Sequence, residues 1–260
     1  MAVSFTGDGS TSERNGTETK LYTAEGGAGE NDLSYSSDDG TNTSNAFYWY
    51  NKSEKINTIT VWSYATAGTP ATNPVNQSFS IETDQRVTSG HTHTKELLYG
   101  TKSNFKYTDY TAASNKLAIT LEHQLARVVI TFSFDNSSSN TVTDIQLGDG
   151  TMTLPTSAKF DPNESAHWKN VGAETGVIYP KVETANTTYS AVLIPTTYAQ
   201  NSKFLSFKIG TESFAYYLPA AVTFQYGKQY NYNITVKNRA ITFTVSVTGW
   251  TDDNRSVDFK

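Results

Sequence analysis

Two of the chain's four histidines, His91 and His93, are spaced i, i+2, and imidazoles are the side chains best suited to hold a metal or move a proton near neutral pH. On a strand that spacing sends both rings to one face, which is half of a metal site. No third ligand lies near them in sequence, and the pair reads as surface residues. His123 stands at the mouth of an apolar tract and reads as a packed or capping imidazole. The glycine-rich "EGGAGEN" lacks the Lys-Ser/Thr and the following helix of a phosphate cradle, so it reads as a flexible loop. There is no Gly-x-Ser-x-Gly, His-Glu-x-x-His or EF-hand loop, and carboxylates such as Asp144, Asp149 and Glu183 are scattered among turns. These residue types give catalysis, a metal or an organic cofactor no visible home, and the chain reads as a non-enzyme.

Recognition chemistry is a second possibility. "FYWYN" could offer Tyr48, Trp49 and Tyr50 as stacking surfaces for a sugar, and "FAYYLP" is a further tyrosine-rich segment. Strand alternation, however, puts Phe47 and Trp49 on one face and Tyr48 and Tyr50 on the other, which core and cross-strand packing also explains. The two ends supply a third. "AVSF" at positions 2 to 5 and "SVDF" at positions 256 to 259 each present one Val and one Phe to a single face, Val3 with Phe5 and Val257 with Phe259. Both ends therefore suit one groove, although the same pair recurs at Val222-x-Phe224.

The elements that must carry these residues are strands. The 260 residues include 16 Tyr and 13 Phe, with many Thr, Val and Ile, and no long stretch shows the i, i+3, i+4, i+7 apolar spacing of a helix. "QYNYNITV" and "AITFTVSV" alternate apolar with polar positions and are joined by the short "KNRA" connection, as in a hairpin. In "ARVVITFSF" Ala126, Val128, Ile130, Phe132 and Phe134 form one apolar face. "SAVLIP", "KFLSFKIG" and "SFAYYLP" read as further strands, and Gly148-Asp149-Gly150 reads as a hairpin turn between "TDIQL" and "TMTL". The first block carries strands at Ala2 to Thr6, "AFYWYN", "INTITVWSYA" and "QSFSIETD", with a helical turn in "TKELLYG". Residues 24 to 45 are mostly Gly, Ser, Asp and Asn and read as a surface loop. The polar "YTDYTAASN" marks a boundary, giving blocks 1–112 and 113–260 of sandwich size.

The net charge of -5 gives no basic stripe for nucleic acid. No disulfide or thiolate site is available because cysteine is absent, and no apolar run approaches the ~20 residues that span a bilayer.

Taken in order, "KELLYG", "LEHQLARVVITF", "AVLIPTTY", "YGKQYNYNITV" and "ITFTVSVTGW" resemble the fimbrillin family, the type V pilin subunits of Bacteroides-type bacteria, over nearly the whole chain. The resemblance implies an all-β protein of two transthyretin-like β-sandwich domains in tandem, exported as a lipoprotein precursor and assembled with other fimbrial subunits at the outer membrane. It implies that a protease cuts an N-terminal loop, that the first strand leaves, and that a neighbour's strand fills the groove. Carried onto this chain, Ala2, Val3 and Phe5 form the placeholder strand and the tail bearing Val257 and Phe259 is the donor. Arg14 is the expected cleavage residue, with Lys20 the second choice. The alternative expectation is a surface adhesin, a tip or accessory component that binds a host glycan or protein. The ten residues after Trp250 depart from the family in leaving room for one strand and little linker.

Overall fold

A computed structural model describes residues 2–7, 16–24, 32–35, 47, 49, 52–64, 74–86, 96–113, 116–135, 141–237, 240–250 and 253–258. Among these residues the protein is all-β apart from one short helix. It divides into two compact units, each built from separated stretches: unit 1 takes residues 1–73, 97–123 and 252–260, and unit 2 takes 74–96 and 124–251. The blocks 1–112 and 113–260 expected from composition differ from this division. Local polarity suggested the boundary, whereas strand pairing between distant segments decides the units.

Unit 1 contains β1 (Ala2–Gly7), β2 (Thr17–Ala24), β3 (Asp32–Tyr35), β4 (Lys55–Tyr64), β6 (Leu97–Lys106), α1 (Tyr107–Ala112), β7 (Lys116–His123) and β22 (Asp253–Asp258). Its seven strands close in the order β1-β2-β3-β22-β7-β6-β4, a sandwich whose edges are joined into a barrel. Alternation explains β4: Ile59 and Val61 point inward, and a shift of register opposite Thr6 and Gly7 passes over Asn57 so that Ile56 also reaches the core. The core gathers Val3, Phe5, Tyr22, Phe47, Ile56 and Phe105, with Leu117, Ile119 and Leu121 from β7.

Three local expectations fail here. Residues 24 to 45, expected as a surface loop, contain β3, which pairs with β2 and β22. Leu97 to Gly100, expected in a helical turn, form the start of β6. A Cβ at Gly100 would fall onto the Thr120 carbonyl oxygen of β7, so glycine permits the close approach of two backbones. The helix instead occupies the head of the segment assigned to a linker. Asp109 accepts a hydrogen bond from the Lys106 N–H at 3.0 Å, and Tyr110 is buried.

Unit 2 contains β5 (Gln77–Ser80), β8 (Ala126–Phe134), β9 (Val142–Leu147), β10 (Leu154–Pro155), β11 (Ser157–Phe160), β12 (Trp168–Lys169) and β13 (Thr175–Gly176). It continues with β14 (Lys181–Thr184), β15 (Thr188–Leu193), β16 (Thr196–Tyr198), β17 (Lys203–Ile209), β18 (Glu212–Tyr217), β19 (Val222–Phe224), β20 (Lys228–Lys237) and β21 (Ala240–Gly249). A five-stranded sheet, β14-β15-β8-β20-β21, faces a three-stranded sheet, β18-β17-β9. Aromatic rings join them: Phe132 meets Phe207 edge-on at 4.9 Å, and Tyr216 lies 4.8 Å from Phe243. The strand "QSFSIETD" belongs to this unit and pairs with β11.

β8 alternates buried and half-buried positions as its sequence requires. β20 and β21 form the expected hairpin, paired from Lys228↔Gly249 to Lys237↔Ala240. The hairpin expected at Gly148-Asp149-Gly150 is absent. Asp149 accepts hydrogen bonds from the Thr151 and Met152 N–H groups and turns the chain, but β9 pairs with β17, and the strand after the turn pairs with β13.

Candidate functional site

The N-terminal strand lies in the wall of unit 1. β1 is antiparallel to both its neighbours, with Val3 opposite Lys20 of β2 and Val61 of β4, and Phe5 opposite Glu18 and Ile59. Main-chain groups on both sides of β1 are thus engaged. Val3 and Phe5 are 0% exposed, and the Phe5 ring lies 4.1 Å from that of Phe47. On the opposite face hydroxyl pairs tie β1 to β2, Ser4 with Thr19 at 2.6 Å and Thr6 with Thr17 at 2.8 Å. The Gly7 N–H donates to the Gly16 carbonyl at 3.1 Å, closing the ladder at the far end.

Arg14 lies outside the described residues; in sequence it falls after β1 and before β2. Lys20 sits within β2, largely buried on the face shared with Val3, and is ion-paired with Glu18 at 2.6 Å.

The C-terminal strand takes another position in the same barrel. β22 runs antiparallel to β7, from Asp253↔Leu121 to Asp258↔Lys116, and parallel to β3 at Ser256↔Asp32 and Val257↔Leu33. The two ends share one barrel and occupy different slots, which a match of alternation could not reveal. Phe259 lies outside the described residues. Just before β22 the chain is pinned in unit 2: the Trp250 N–H donates to the Gly227 carbonyl at 2.8 Å, and the Arg127 guanidinium lies 5.8 Å from the Trp250 ring centre.

Trp49 is half-buried and meets the rings of Phe47, Phe105, Tyr107 and Tyr110 at 5.4 to 5.8 Å, which accounts for it as packing. Tyr48, Tyr50, His91 and His93 lie outside the described residues. Among the described residues no group of three or more His, Cys, Asp or Glu is placed to hold a metal. His123 is buried at the end of β7, opposite Leu98.

Sequence reading missed the second aromatic locus. In unit 2, a cleft of about 740 Å³ is lined by Arg86, Asp144, Tyr179, Lys208 and Tyr217 among others. Tyr217 is 55% exposed. The Arg86 guanidinium stacks 4.7 Å from the Tyr179 ring centre and forks onto Asp84 at 2.8 and 2.6 Å. Those hydrogen bonds hold the Asp84 carboxyl down at about 2. Part of the signal was present in "FAYYLP"; the approach of Arg86 and Tyr179 was not.

These features define an all-β protein of two units, one of them a barrel into which the chain's own first strand is built. The chain belongs to the fimbrillin-like family, whose profile matches residues 2–250. A candidate cell adhesion protein from Bacteroides uniformis shares the fold with a TM-score of 0.64 at 17% identity, over 96% of this chain and 91% of that one. A second, from Bacteroides ovatus, gives 0.62 at 15%, over 96% and 87%. The tip fimbrial protein Mfa3 from Porphyromonas gingivalis, with a C-terminal truncation, gives 0.53 at 11%, over 96% and 93%. No curated protein matches the chain. Family membership supports a fimbrial component or adhesin at the cell surface, in association with other fimbrial subunits.

Proposed function

We propose that the protein is a structural subunit of cell-surface fimbriae that polymerises by protease-triggered strand exchange. The observation that carries this is the placement of β1, a strand paired on both sides with Val3 and Phe5 fully buried, joined to β2 through the connection that contains Arg14. Scission at Arg14 would leave β1 held only by non-covalent contacts. Its departure would bare two rows of main-chain donors and acceptors and an apolar trench under Phe47 and Ile59. A strand from a neighbour satisfies both at once, burying one Val and one Phe at about 1.5–3 kcal/mol each. The donor in this reading is the tail bearing Val257 and Phe259, which must first leave its own ladder with β7. Exchange therefore couples two strand departures. The subunit reaches the outer membrane as a lipoprotein precursor and is held there through the fimbria.

The test is digestion of the intact protein with an Arg-specific protease, followed by size-exclusion chromatography. A ladder of oligomers is expected. Arg14→Ala should remain monomeric, and a chain ending at Trp250, checked by its melting curve, should be cut yet form no ladder. If cleavage after Arg14 leaves residues 2–14 bound and the protein monomeric, the exchange account fails.

A second reading, adhesion as a tip or accessory component, is favoured by the exposed Tyr217 in the unit 2 cleft.

A further inference from the structure

The cleft in unit 2 combines features that packing does not require. Its floor is the outer face of β9-β17-β18, where cross-strand rows place Tyr217 beside Lys203, and Ser213 beside Lys208. Tyr217 is 55% exposed on this face, beside Lys203 of the neighbouring strand. Across from it Tyr179 presents its ring with Arg86 stacked upon it. The strand β9 is bulged, with Asp144 at φ +50 in the left-handed region, and the bulge aims the Asp144 carboxylate at Lys208, 2.7 Å away.

Charge in the cleft comes in pairs. Arg86 is bound by Asp84, Lys208 by Asp144, and Lys203 by Asp149 at 3.3 Å. Each cation thus has a carboxylate partner, which weakens the pull of the cleft on an anion. The Lys208–Asp144 pair, both members of which line the cleft, offers an N–H donor beside a carboxylate acceptor, which matches a hydroxyl group that donates and accepts together. Tyrosine faces suit the C–H face of a pyranose ring and bring large contact area at little conformational cost. Ser206 Oγ, under the same face, has no hydrogen-bond partner among the described residues. The volume, about 740 Å³, lies within the ~300–1,000 Å³ of small-molecule sites.

We propose that this cleft binds a neutral oligosaccharide, with Tyr217 as the stacking face and Arg86 and the Lys208–Asp144 pair reading its hydroxyls. The inference rests on the adhesive reading and is independent of strand exchange.

The experiment uses the uncleaved full chain on a printed array of neutral glucose-, galactose-, mannose- and fucose-containing oligosaccharides alongside sialylated and sulfated ones, then titration calorimetry with the strongest neutral hit. Tyr217→Ala should weaken that binding roughly tenfold with no change in melting temperature, and Tyr217→Phe should retain it. Asp144→Ala should weaken it as well, while Trp49→Ala, in the other unit, should leave affinity unchanged in whatever fraction remains folded. Neutral-glycan binding that survives both Tyr217→Ala and Asp144→Ala overturns the site and leaves an adhesin that uses another surface. Binding of acidic glycans alone, or of none, overturns the proposal. Adherence of the same protein to immobilised host-cell proteins then tests the adhesive reading separately.

Discussion

Phe5 lies with its ring centre 4.1 Å from that of Phe47, tilted by 31°, so the first strand of the chain is fixed by a ring that belongs to a segment some forty residues on. Replacing Phe5 by Ala should destabilise unit 1 by about 3–5 kcal/mol, the usual cost of emptying a buried Phe site. Thr6→Ala, on the outer face, loses one exposed hydroxyl contact and should cost no more than about 1 kcal/mol. Urea unfolding followed by tryptophan fluorescence measures both, and equal costs would show that β1 contributes no core.

Gly100 should tolerate no side chain. An added Cβ meets the Thr120 carbonyl oxygen and the Leu121 side chain, so Gly100→Ala should force β6 from β7 at a cost of about 1–3 kcal/mol or more. Gly249→Ala, at a position with nothing within 4 Å, is the matched control and should be near neutral. Thermal melts of the two variants decide.

Gln85 is a buried amide that completes a strand it does not belong to. Its Oε1 accepts from the Val192 N–H at 2.9 Å, and its Nε2 donates to the Val192 carbonyl at 3.0 Å and to that of Glu82 at 3.1 Å. Gln85→Leu keeps much of the volume but strands Val192's main-chain groups away from water, at about 1–3 kcal/mol for each unsatisfied group. Hydrogen exchange at the Val192 amide should rise in the variant; unchanged protection would contradict the assignment.

Acid should release Asp161. The Lys169 ammonium, 2.6 Å away, holds this buried carboxyl below its ordinary value of 3.8. A lowered pKa contributes stability that is complete above the ordinary value and lost as pH falls through the lowered one. Asp161→Asn should therefore be less stable than the parent at pH 7, and the gap should narrow as pH falls below about 4. Denaturation curves at pH 7, 5 and 3 measure it, and a gap that widens with acid would reverse the sign.

What the sequence made legible was whatever local alternation encodes. Tyr230, Tyr232 and Ile234 announced β20, and Val128, Ile130 and Phe132 announced β8, because one apolar face buried against a second sheet leaves a period of two. Val3 and Phe5 were legible in the same way. Leu97 and Leu98 were not: two adjacent buried leucines break that period, and β6 is set by its long pairing with the distant β4, with Gly100 letting β7 approach on the other side. Pairings between distant segments, such as Gln77–Ser80 with Ser157–Phe160 or the tail with β7, leave no local trace. The same reason hid the meeting of Arg86, Tyr179 and Tyr217, whereas the fimbrial reading came from the order of several segments along the chain.

The allocation of residues 252–260 to unit 1 has a bearing on biogenesis. A chain emerging amino-end first presents nearly all of that barrel early, yet the barrel's β3–β7 gap stays empty until the final stretch appears. Unit 2 has its whole complement by residue 251 and can mature sooner, inverting the usual amino-first order. Until residues 252–260 are in place the leading unit keeps an open seam between β3 and β7, an unpaired edge open to strand addition from a second copy.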